Sequence, residues 1–140
     1  MGSKHQTWRG YYPIAGFVLE ALTKKSRGHE SVEFTHAERV LFIASDFLAA
    51  AAQRRLEGYL AVNRVQMLRT ALPAFEEIGA VRVVSILRVA IGELTNRSAV
   101  LNAEQVTADV EDQVLHTEDS LDDLIARYAA RELGDNGVQV

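Results

Sequence analysis

Eight carboxylates fall within residues 98–126 (Glu104, Asp109, Glu111, Asp112, Glu118, Asp119, Asp122 and Asp123), with no lysine or arginine among them. Residues 1–34 lean the other way, with Lys4, Arg9, Lys24, Lys25 and Arg27 against Glu20, Glu30 and Glu33. The net charge of −4 over 140 residues therefore understates a strongly negative segment. Such a segment repels a nucleic-acid backbone and attracts a cationic partner. Borne on rigid helices, Glu104, Glu111, Asp112, Glu118, Asp119, Asp122 and Asp123 would offer a partner carboxylates spaced like phosphates. The plainer reading is a solvated face plus acids placed at helix starts, where the macrodipole favours them.

Other chemistry has less to work with. Asp112 and His116 are four apart and share a helix face, which with Glu118 or Asp119 sketches a metal site. His5, His29 and His36 lie far from His116, so no second histidine completes a ligand pair at helical spacing. Glu76 and Glu77 are adjacent, and neighbouring helix positions diverge by about 100°, so the two cannot act jointly. The chain has no cysteine, which excludes disulfides, thiolate metal sites and a thiol nucleophile. No serine elbow and no glycine-rich phosphate loop appears. Lys4, His5, Trp8, Arg9, Tyr11 and Tyr12 mix cations with aromatics as a single-strand binder would, but an arm pinned to the helices by its rings explains them more simply.

The positioning elements read as helices. Pro13 opens the first, with Ile14, Phe17, Val18, Ala21 and Leu22 on one stripe before Gly28. Thr35-His36-Ala37-Glu38 has the spacing of a capping box, and Val40, Ala44, Phe47, Leu48 and Ala51 continue a long helix to about Leu56, with Gly58 as its stop. Val65, Leu68, Ala71, Leu72 and Phe75 form a further stripe, which Pro73 is expected to kink or restart, and Gly79 ends it. From Ala80, the residues Val83, Val84, Leu87, Ile91 and Leu94 keep a 3.6 period despite much β-branching. Asn102 resembles a capped start for Val106, Val110 and Val114. Thr117 is expected to cap a last helix that buries Leu121, Leu124, Ile125 and Tyr128 and ends with Arg127 and Arg131.

The length suits one domain, 1–140, with an amino-terminal arm over 1–12 and a loose tail over 134–140. Glu20 interrupts the apolar run Ile14–Leu19, and Lys24-Lys25-Ser26-Arg27 stands where a cleavage site would follow, so the chain reads as mature and cytoplasmic. No apolar run approaches the ~20 residues of a membrane span.

The stretch Ala71-Leu72-Pro73-Ala74-Phe75-Glu76-Glu77-Ile78-Gly79-Ala80, followed by Ser85-Ile86-Leu87-Arg88-Val89-Ala90-Ile91, resembles the centre of a bacterial domain-of-unknown-function family typified by a DNA-mimic protein. Arg39–Phe47 looks like that family's preceding helix, and Leu121-Asp122-Asp123-Leu124-Ile125 like its last, which extends the likeness over about residues 35–130. The family's Asn-Gly-Gly and following aromatics are reduced here to Glu57-Gly58-Tyr59 and Asn63. The resemblance implies an all-helical domain with no established enzyme activity and, in one branch, an acidic surface that competes with DNA for a DNA-binding protein.

Together these readings give an all-α bundle of about five or six helices, its interior built around Phe17, Phe47, Leu68, Phe75, Leu87, Ile91 and Leu124. The expected role is a non-enzymatic interaction or regulatory protein without a cofactor. Its expected partner is a protein, basic or DNA-binding, rather than nucleic acid or membrane, with a homodimer as an open alternative. A metal-dependent or small-molecule enzyme is the rival, marked by a deep pocket with converging polar groups.

Overall fold

The computed structural model describes residues 12–28, 34–61, 63–96 and 102–134, and over these the chain is helical, with no strand. Seven helices follow one another: α1 (Pro13–Gly28), α2 (His36–Ala52), α3 (Leu56–Leu60), α4 (Arg64–Ile78), α5 (Val81–Thr95), α6 (Ala103–Leu115) and α7 (Leu121–Leu133). The β-branched segment 81–94 is helix, as its periodicity predicts. The bundle exceeds the expected count because α2 stops early and α3 forms separately. Apart from Tyr12 and Gly134, the expected arm and tail lie outside the described residues, and Lys4, His5, Trp8, Arg9 and Tyr11 with them.

Helix α2 is the axis, packing against α1, α3, α4, α6 and α7. Its sequence explains why: Leu41, Ala44, Phe47, Leu48 and Ala51 are wholly buried, and the alanine run 49–52 lets neighbouring helices approach closely. Its start is the predicted capping box. The Thr35 hydroxyl accepts from the Glu38 amide at 3.1 Å, and the Glu38 carboxylate accepts from the Thr35 amide at 3.0 Å. Burial pushes the Glu38 carboxyl up, but the Lys25 ammonium at 2.6 Å and the Thr35 amide outweigh it and hold the group below its ordinary range. Phe47 meets Phe75 of α4 edge-on at 5.5 Å and Tyr59 of α3 at 6.1 Å, so one aromatic chain joins the centre of the core to α3. The Ser45 hydroxyl, fully buried, has no hydrogen-bond partner among the described residues.

Four expectations are corrected. Phe17 is 52% exposed and Ile14 sits at the surface, while Val18, Ala21 and Leu22 of the same expected stripe are buried, together with Ala15 and, just before α1, Tyr12. The small residues Ala15 and Ala21 let that buried face of α1 lie close on α2. Helix α2 ends at Ala52 rather than near Leu56: Arg54 turns left-handed (φ 58°), with its amide bonded to Ala51 and that of Arg55 to Ala50. Gly58 lies inside α3. Pro73 does not restart α4, which runs unbroken through it: Pro73 and Arg69, whose carbonyl loses its amide donor, are both exposed, so that carbonyl can turn to water. Helix α7 begins at Leu121, so Thr117 accepts only from the Asp119 amide, at 3.4 Å, and caps no helix. Of the other expected interior residues, Phe47, Leu68, Phe75 and Leu87 are buried, while Ile91 and Leu124 pack partly buried against that core. Gly79 ends α4 as expected, at φ 85°, where a side chain would be strained.

Candidate functional site

The acids of the later third divide by what they touch. Asp122 accepts from the amides of Ile14 and Ala15 at 2.8 and 2.9 Å, at the start of α1. Asp119 accepts from those of Arg82 and Val83 at 3.0 and 3.2 Å, at the start of α5. Glu111 accepts from the Leu56 amide at 3.1 Å, at the start of α3. Neither α3 nor α5 has a side-chain cap of its own, because Arg55 and Ala80 stand at their N-cap positions. The missing caps come from carboxylates 55 and 36 residues away in sequence. Each places a full negative charge against orphan amides and the positive end of a helix dipole.

The remaining candidates are scattered. Arg54 lies 3.5 Å from Glu111 and 3.9 Å from Asp112, and Arg82 lies 3.7 Å from Glu118 and 4.0 Å from Asp119. Glu104 and Asp123 are exposed and face no cation among the described residues. Asp112 also meets His116 at 3.4 Å, but Glu118 and Asp119 turn to Arg82, and no group of three or more described His, Asp or Glu residues is placed to hold a metal. Glu76 and Glu77 diverge as adjacency requires: Glu76 pairs with Arg88 at 2.6 Å, while Glu77 takes His36 at 2.7 Å and the Tyr128 hydroxyl. The Tyr128 bond, then that of His36, holds the Glu77 carboxyl below its ordinary range, and burial with the Glu77 contact pushes the Tyr128 phenol up.

A different site emerges between α1, α2 and α3. A cleft of about 710 Å³ opens there, within the range of small-molecule sites. Leu19, Ala49 and Ala50 give it apolar walls, and Gly58 leaves its α3 side open. Gln53 and Arg55 stand at its solvent side, with the Arg55 guanidinium 3.4 Å from the Gln53 amide oxygen. Asp46, half-buried, lines it together with Tyr59. Burial pushes the Asp46 carboxyl above its ordinary range, only partly offset by Tyr59. Burial and the adjacent Asp46 push the Tyr59 phenol far up in turn, so it stays a proton donor.

Local sequence builds this pair. Asp46, Ala49, Ala50 and Gln53 follow at helical spacing along one face of α2. The left-handed turn at Arg54 reverses the chain so that α3 returns Tyr59 beside that face, and Phe47 fixes the Tyr59 ring edge-on. Sequence reasoning did not single out Asp46. Its signal is a lone carboxylate in the apolar run from Val40 to Ala52.

Fold and site thus define an all-helical bundle with a lateral cleft holding a half-buried carboxylate and a phenol. No protein-family model, curated protein or solved structure matches the chain.

Proposed function

We propose that this chain is a small-molecule-binding protein whose site is the cleft between α1, α2 and α3. The observation that carries the reading is the Asp46–Tyr59 pair inside a solvent-open cleft of about 710 Å³. Paired titratable groups with perturbed protonation in a concave site mark a candidate for ligand recognition. Ligand occupancy would brace α1 and α3 against α2 and so act on whatever surface those helices present.

A basic or DNA-binding protein partner has weaker support. Three of the seven acids that would face it, Glu111, Asp119 and Asp122, are engaged by backbone amides, and Arg54 and Arg82 stand against Asp112 and Glu118. A fragment screen read by amide and methyl NMR tests the cleft. Binders are expected to shift Leu19, Ala49, Ala50 and Tyr59 together. A screen whose hits cluster elsewhere, or that yields none, would overturn it.

A further inference from the structure

We infer that the cleft selects a small organic monoammonium ion, held inward by Asp46 and by a short apolar chain lying along Leu19, Ala49 and Ala50. The inference rests on the cleft being the ligand site and names what fits there. The carboxylate is half-buried, yet among the described residues its polar neighbour is a phenol, and no ion pair reaches it. Its desolvation is therefore uncompensated by positive charge, unlike that of Glu38, which has Lys25 at 2.6 Å. An ammonium ion supplies that charge and three donors, enough to satisfy the carboxylate oxygens. The Tyr59 ring and the alanine floor suit the methylenes next to the nitrogen. Arg55, the other charged residue lining the cleft, sits at the exposed rim, where it repels a second cation at the far end of the ligand.

The experiment compares four probes of one length on the full chain by NMR titration: pentylamine, pentan-1-ol, pentanoate and 1,5-diaminopentane. Pentylamine is expected to bind at least about tenfold tighter than the alcohol, the advantage of a charge-assisted over a neutral hydrogen bond. Pentanoate is expected to be weakest, and the diamine weaker than pentylamine. Asp46→Asn keeps an acceptor for Tyr59 and should retain the melting temperature while erasing the preference for the amine. Alcohol or pentanoate binding in the cleft as tightly as pentylamine overturns the ammonium assignment and leaves the cleft reading standing. No probe shifting the cleft residues, alongside an empty fragment screen, overturns both. The wild-type comparison decides the matter even if the variant fails to fold.

Discussion

Removing the Asp119 side chain tests whether the acidic segment is architectural. Its carboxylate, with a side chain 12% exposed, bonds the amides of Arg82 and Val83 at 3.0 and 3.2 Å, where Ala80 provides no cap for α5. Loss of a helix cap costs about 1 kcal/mol, and loss of a partly buried charge at the positive end of a helix costs about 1 more. Asp119→Ala should therefore destabilise the chain by about 2 kcal/mol. For 140 residues, an unfolding entropy of about 2.1 cal/mol/K per residue converts this into a fall of about 7 °C in melting temperature. Asp119→Asn keeps one acceptor without the charge and should fall between. Glu104→Ala, at an exposed position without a cation, should stay within about 0.5 kcal/mol of the parent. The assay is urea unfolding followed by circular dichroism, with thermal melts alongside. An Asp119→Ala loss no larger than that of Glu104→Ala would refute the reasoning.

Three further outcomes follow from the same geometry. Glu38 has its folded pKa lowered, so its ion pair contributes stability above the ordinary value of 4.5 and loses it as pH falls through the lowered one. Glu38→Gln should lower stability at neutral pH and converge with the parent in acid, and a constant gap in pH-dependent denaturation would contradict this. Arg54→Gly should gain about 0.5 kcal/mol, since relief of left-handed strain outweighs exposed pairs with Glu111 and Asp112; a loss above about 1 kcal/mol in urea would show the pairs dominating. Ser45→Ala should stabilise by about 1 kcal/mol, because it removes a buried hydroxyl without a partner, and a lower denaturation midpoint would show that the hydroxyl is satisfied.

What the sequence discloses is what is local. The Thr35–Glu38 box is complete within four residues, and Gly79 carries its own reason to turn, so both boundaries are legible. The helical nature of 81–94 follows from the spacing of Val83, Val84, Leu87 and Leu94, whose shared face is buried. Phe17 is different: it lies at the edge of the apolar stripe whose Val18, Ala21 and Leu22 are buried, and only close packing on α2 decides that Ala15 rather than Phe17 completes the buried face. Arg54 gives no hint that it will turn left-handed in place of Gly58.

In the sequence the acids of the later third are legible in outline, and the cleft is not. Clustering along the sequence draws attention to Glu111, Asp119 and Asp122, but the amides they bond belong to α3, α5 and α1 and are fixed only by tertiary approach. Asp46 becomes notable once α3 folds back to set Tyr59 beside it, and that reversal depends on the turn at Arg54.

The most direct measurement is the titration of the Asp46 carboxyl by carbon-detected NMR, in the free chain and saturated with pentylamine. In the free chain it should titrate above the ordinary value of 3.8, and with the ammonium ion bound it should move down, because a cation inside the cleft favours the ionised form. An Asp46 carboxyl that titrates identically with and without the amine would contradict the account.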